Sequence, residues 1–173
     1  MKQLIHRCAQ LHINHIAGND PFETGSSRPL DFGHWAAHKL EQLSSYSIRH
    51  GEAVAIGVAL DSTYSYLISL LQRKEWERIL QLISCLGFKL YMPELLHQRG
   101  MDEKLTVLNG LDEFREHLGG ELTVMLLKKI GQGIEVHEMK TELILEAIHL
   151  LKSHFEQSQN LEIKMPAAKA IFE

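Results

Sequence analysis

Residues 31–57 read DFGHWAAHKLEQLSSYSIRHGEAVAIG. The apolar spacing predicts a helix from Phe32 to about Ser45 and a second from His50 to about Leu71. His34 and His38 stand four residues apart on the first, so they share a face, with Cβ atoms about 5–6 Å apart. Neutral imidazole is a zinc ligand, and two rings at this spacing either share one ion or divide the work, one on metal and one on substrate. His50 precedes Gly51-Glu52 at an expected helix N-terminus, where the macrodipole disfavours imidazolium and keeps the ring able to ligate. Glu41 and Glu52 are carboxylates near enough to orient a ring. The same spacing also arises by chance in a chain with 11 histidines. Spacing alone therefore leaves a metal site and three ordinary histidines both open. The other eight, His6, His97, His117, His149 and His154 among them, read as surface or capping residues, and Trp35 as core.

The second helix is rich in small residues: Gly51, Ala53, Ala55, Gly57 and Ala59. A glycine costs a helix about 1 kcal/mol against alanine. Two glycines in one helix predict that something packs closely against its backbone.

Working outward, residues 2–16 carry Leu4, Ile5, Cys8, Leu11, His12 and His15 at helical spacing. Gly18-Asn19-Asp20-Pro21 ends that helix, and residues 20–31 form a loop. On the other side, residues 73–86 read as an amphipathic helix closed by Gly87. Tyr91-Met92-Pro93 is a turn with a short helix after it, and residues 103–118 read as helix stopped by Gly119-Gly120. Thr123, Val124, Ile130, Ile134 and Val136 are β-branched around Gly131-Gln132-Gly133, which predicts a small β-hairpin. Residues 140–157 return to helix, and 158–173 read as a loose tail. The expectation is a mainly α domain over 1–157 with a minor β element.

Composition narrows the function. At 173 residues the chain suits one domain with a sizeable core. A net charge of −4 leaves no electrostatic footprint for nucleic acid or an anionic membrane surface. No apolar run reaches the roughly 18 residues that span a bilayer, and the first residues carry histidines rather than the apolar core of a secretory signal. Cys8 and Cys85 are too few and too distant for a disulfide framework, which points to reduced thiols and a cytoplasmic location.

The paired stretches DFGHWAAHKLE and RHGEAVAIGVAL closely resemble the two motifs of 3-dehydroquinate synthase and related sugar phosphate cyclases, approximately N-F-G-H-T-x-G-H-A-x-E and H-G-E-A-V-x-x-G. Upstream, DPFETGSSRPL resembles the family's D-E-x-E loop with its arginine, and downstream ELTVMLLKKIG resembles a hydrophobic strand of the family. The Asp-Phe-Gly-His-Trp variant looks most like the cyclase homologues of bacterial ebo-type gene clusters. The resemblance covers about residues 1–150 and implies the C-terminal helical, metal-binding domain of such an enzyme. It places zinc, or another divalent cation, on His34 and His50. It makes His38 an active-site histidine that contacts substrate and moves a proton. Glu23 matches a loop glutamate, Asp31 stands where the synthases place a substrate-touching asparagine, and Arg28 lies one position from the substrate-binding arginine.

The departures from the family pattern carry information. Ile13, flanked by His12 and His15, replaces a lysine late in the first helix, and LDEFREHLGG stands in place of a late Asp-Lys-Lys, with Arg115 a candidate cation. Asp31 in place of asparagine adds negative charge where an anionic substrate binds. A carboxylate repels a substrate carboxylate and accepts hydrogen bonds from hydroxyls, so a neutral polyol or sugar phosphate rivals a sugar acid. The resemblance also implies an N-terminal domain holding NAD and a third metal ligand, a glutamate, from a helix before residue 1. Neither is visible in this chain, which has no Gly-rich nucleotide loop after a strand. The expectation is therefore a fragment with little or no cyclase activity alone, acting on a sugar phosphate with a separate NAD-binding domain. The alternative is a non-catalytic helical remnant or interaction module. An apolar face left by the missing domain predicts a homo-oligomer.

Overall fold

The structure, a computed structural model, describes residues 2–17, 29–98 and 104–164. Glu23 and Arg28 lie outside them. Six helices and one hairpin follow in order: α1 (Lys2–Ile16), α2 (His34–Leu43), α3 (His50–Leu67), α4 (Arg73–Cys85), α5 (Asn109–His117), β1 (Val124–Lys129), β2 (Gln132–Val136) and α6 (Thr141–Lys164). The mainly α architecture with a small β-hairpin is as expected. No helix among the described residues is long and apolar enough to cross a membrane.

α3 is the hub, touching α2, α4, α6 and β1. Apolar and small residues run around its whole circumference, the pattern of a helix enclosed on all sides. Ala53, Ile56, Ala59 and Leu60 are buried, and so are Asp61, Ser62, Thr63, Tyr64 and Ser65. Buried polar groups favour hydrogen-bonded partners, and Asp61, Thr63, Tyr64 and Ser65 tie α3 to its neighbours, whereas Ser62 Oγ has no hydrogen-bond partner among the described residues. Asp61 accepts from the Trp35 Nε1–H of α2 at 2.8 Å. Thr63 Oγ1 accepts from Trp76 Nε1 of α4 at 2.9 Å. Ser65 Oγ accepts from Leu127 N of β1 at 3.2 Å, and the Tyr64 hydroxyl accepts from Lys140 N just before α6 at 2.9 Å.

The apolar core fills the space between these ties. α6 buries Ile144, Ala147, Ile148 and Leu151, a single stripe at three- and four-residue spacing. α4 buries Trp76, Leu80 and Ile83, and Trp76 stacks on Tyr66 with ring centroids 4.7 Å apart. Each large aliphatic side chain buried in this way contributes about 1.5–3 kcal/mol.

Of the two glycines in α3, only Gly57 serves close packing. A Cβ there would strike the carbonyl oxygen of Gly33, so α2 begins directly against the α3 backbone. Gly33 has φ +81°, a left-handed conformation that side chains rarely adopt. Gly51 has open space around it, which corrects the expectation for that position.

Several boundaries differ from the sequence reading. α3 ends at Leu67 because Ser69 takes φ 61° and the N–H groups of Leu70 and Leu71 turn back to the Ser65 carbonyl. α5 is shorter than the expected 103–118. Leu105 instead pairs with Gln98, and Thr106 N donates to His97 O at 2.8 Å. A 3-10 turn over Thr106–Leu108 then buries Val107 and Leu108 before α5 starts. The hairpin turns over Ile130 and Gly131, with Gln132 and Gly133 already in β2. Gly131 supplies the positive φ that a two-residue loop needs. α6 runs to Lys164 rather than ending at 157. Its last turns, rich in glutamate, glutamine, leucine and lysine, propagate from turns already docked on the core.

α1 differs from the other helices. Leu4, Ile5, Leu11 and Ile13 all remain exposed, so these four side chains do not enter the core.

Candidate metal centre

The αL turn at Gly33 starts α2 with His34 as its first residue, and α3 starts at His50. The close contact of Gly33 with Gly57 brings these two helices together. His34, His38 and His50 converge as a result. Ring centroids stand 5.3 Å apart for His34–His50, 5.5 Å for His34–His38 and 5.8 Å for His38–His50. One ligand atom from each ring lies within 4.8 Å of the others. Two nitrogens on one tetrahedral zinc are about 3.3 Å apart at the usual bond length of about 2.0–2.1 Å. Small rotations of these exposed or half-exposed rings close that gap, so the donor set fits a divalent ion.

Each of the two expected ligands has a partner on its inner nitrogen. His50 Nδ1 faces Glu41 Oε2 at 3.2 Å, and His34 Nδ1 faces Phe32 O at 3.3 Å. An acceptor at Nδ1 favours the proton there and leaves the Nε2 lone pair for a metal. Glu52, the other carboxylate suggested by sequence, is engaged elsewhere: it accepts from Arg49 N at 3.0 Å and caps α3.

His38 is the third ring of the cluster. Burial lowers its pKa from the ordinary value, helped by the nearby His34 ring, while Glu41 pulls the other way. A ring held neutral near pH 7 suits proton exchange. His38 also lines a cavity of about 190 Å³ with Trp35, Gln42, Gly110, Glu113, Phe114 and His117. His117 is exposed, as the sequence reading expects, and also borders this cavity. Lys39, next in sequence to His38, is bound to Glu113 at 2.5 Å and to Gln42 at 3.0 Å. Arg115 pairs with Asp112 at 3.3 Å on the surface.

Asp31 ends a 3-10 turn over Pro29–Asp31, half-buried and three residues before His34. Ile13 is exposed on α1. Trp35 is core, 1% exposed. Asp61, which sequence reading passed over, is fully buried behind His34. It accepts from Gly33 N at 3.0 Å as well as from Trp35.

Comparison with known proteins gives the family and the fold. Residues 1–110 match the family described as 3-dehydroquinate synthase C-terminal. The chain is 36% identical over 117 residues to the 3-dehydroquinate synthase of Aeropyrum pernix, covering 68% of this chain and 31% of that one. It is 27% identical over 150 residues to the 2-epi-valiolone synthase of Actinosynnema mirum, covering 86% and 38%. The fold matches the 2-epi-5-epi-valiolone synthase of Streptomyces hygroscopicus subsp. jinggangensis, solved with NAD+ and Zn2+ bound. The TM-score is 0.73 at 23% identity, over 86% of this chain and 39% of that one. The chain thus spans 31–38% of the length of these curated relatives. It belongs to the 3-dehydroquinate synthase family and corresponds to the C-terminal domain.

Proposed function

We propose that this chain is the metal- and substrate-holding part of a sugar phosphate cyclase. The observation that carries this reading is the convergence of His34, His38 and His50 from two helices onto one point. His34 and His50 hold zinc or another divalent cation, with a third ligand, a glutamate, from outside the described residues. A metal bound there supplies Lewis acidity, polarising a hydroxyl or carbonyl of the sugar.

The chain's own residues do the rest. His38, kept neutral, exchanges a proton with the substrate. Glu23 and Arg28 belong to the substrate loop, and Asp31 accepts hydrogen bonds from hydroxyls. The negative charge of Asp31 favours a neutral polyol phosphate over a sugar acid. Transient oxidation by NAD, loss of phosphate, re-reduction and ring closure need a dinucleotide site, which we assign to a separate domain. The exposed apolar residues of α1, Leu4, Ile5, Leu11 and Ile13, support association with that domain or with a second copy.

Two measurements test the reading. Titration with Zn2+ should show one tight site that H34A and H50A each abolish. Phosphate release from acidic and neutral sugar phosphates, assayed with NAD, should be negligible for the chain alone and should appear when a dinucleotide-binding domain of the family is added. Absence of zinc binding would overturn the metal assignment, and full turnover by the chain alone would overturn the divided site.

A further inference from the structure

The metal-bearing end of α2 is held by a group that is not itself a ligand. Asp61 lies in the middle of α3 with 0% exposure. Its Oδ2 accepts from Gly33 N at 3.0 Å and its Oδ1 from Trp35 Nε1 at 2.8 Å. These donors belong to the residues immediately before and after His34. The α2 N-terminus has no side-chain cap of its own, and Asp61 provides from another helix a hydrogen-bond acceptor for the Gly33 N–H at its start. A Cβ on Gly33 would strike Val58 N and Gly57 C of α3, so the turn lies close against the α3 backbone.

We propose that Asp61 is the positioning residue for His34: a buried carboxylate that clamps both of its chain neighbours and thereby fixes the ring opposite His50. The proposal rests on the metal reading of the site and deepens it. Among the described residues the His34 ring has one hydrogen-bond contact, Nδ1 with Phe32 O at a long 3.3 Å. That contact alone is too weak to set the ring's direction. The direction comes from the backbone, and Asp61 holds the backbone on both sides. In Asp61→Asn one oxygen becomes an NH2 that must face a donor, so one clamp is lost with almost no change in volume.

The test compares the wild-type chain with D61N, W35F and S65A. Ser65 is also a buried α3 tie, but its partners are the Asp61 carbonyl and Leu127 N of β1, away from α2. Co2+ affinity is read from the visible absorption of the bound ion. Imidazole 15N chemical shifts of the metal-free chain report the state of His34, and thermal melts report stability. D61N should weaken Co2+ binding about 10–100-fold, the range for groups that orient a ligand, and should move the His34 resonances. W35F should do the same more weakly, and it serves as the decisive variant if D61N does not fold. S65A should lower the melting temperature while leaving Co2+ affinity within about twofold. A folded D61N or W35F with unchanged His34 resonances overturns the proposal, as does an S65A loss of affinity that matches D61N. If the wild-type chain binds no Co2+, the metal reading falls, while the 15N shifts still decide whether Asp61 positions His34.

Discussion

His34 and His50 come from different helices, sixteen residues apart in sequence, yet their rings meet with centroids 5.3 Å apart. The turn between α2 and α3 makes this possible. Ser45 and Tyr46 both take left-handed backbone angles, and Tyr46 N returns to the Glu41 carbonyl at 2.7 Å. The chain reverses there and returns His50 beside His34. Each ring supplies one donor, so each substitution to alanine should cost a full ligand, weakening Zn2+ binding by at least about 100-fold. H38A should cost less than about tenfold, because its assigned work is proton transfer. Calorimetric titration separates these outcomes, and equal losses at all three positions would make His38 a ligand as well.

Glu41 is one turn beyond His38 on α2 and reaches across to His50 Nδ1 at 3.2 Å. The carboxylate side chain is 18% exposed and the ring 53% exposed, so Glu41 is the better-fixed partner. Glu41→Gln keeps the shape but can present either an oxygen or an NH2 to the ring, and it removes the charge that makes imidazole a stronger donor to metal. Zn2+ affinity should fall about 10–100-fold with little change in melting temperature. A large loss of stability with unchanged affinity would make Glu41 a structural contact instead.

Much of this arrangement was legible before any coordinates. The three-and-four spacing in α4 and α6 is strong because each buries one face, packed mainly against α3. The two histidine motifs fixed His34, His38 and His50 by resemblance, and their spacing fixed the shared face of the first two. Asp61 was not legible in the same way. Periodicity reads an aspartate inside a helix as an exposed position, whereas α3 has no exposed face at that depth. The available signal was the pair Asp61 and Thr63 within an otherwise apolar, small-residue helix, since buried polar groups there favour partners on other elements. The start of α5 was misread for a tertiary reason: the backbone of Leu105 and Thr106 is bonded across to Gln98 and His97, a partner that local spacing does not reveal.

The buried carboxylate also predicts a pH dependence. Burial pushes the Asp61 pKa up to about 7, although the N–H groups of Trp35 and Gly33 pull it down. In the unfolded chain an aspartate titrates near the ordinary value of about 4. Between these two values the folded chain holds a proton that the unfolded chain has lost. The stability contributed by this residue is therefore complete below about pH 4, declines as pH rises and is gone above about pH 7. With each pKa unit worth about 1.4 kcal/mol, the change is on the order of 4 kcal/mol. Urea unfolding of wild type and D61N across this range isolates it. The wild-type advantage over D61N should shrink as pH rises toward about 7 and stay flat beyond. A difference that does not change with pH would mean the carboxylate remains ionised in the folded chain.

Gly51 and Gly57 look alike in sequence and differ in what surrounds them. A Cβ on Gly57 would collide with the Gly33 carbonyl oxygen, a backbone atom that cannot swing aside. Gly57→Ala must push α2 off α3 at the point that brings His34 to His50. It should cost about 3 kcal/mol or more and weaken Zn2+ binding in the same variant. Gly51→Ala meets open space on the first turn of α3, and alanine there removes backbone freedom from the unfolded chain. It should stabilise the protein by about 0.5–1 kcal/mol and leave metal affinity unchanged. Thermal melts and Zn2+ titrations of the two variants decide the matter. A G57A chain as stable as wild type would show that the contact between the two helix backbones is not what holds the histidines together.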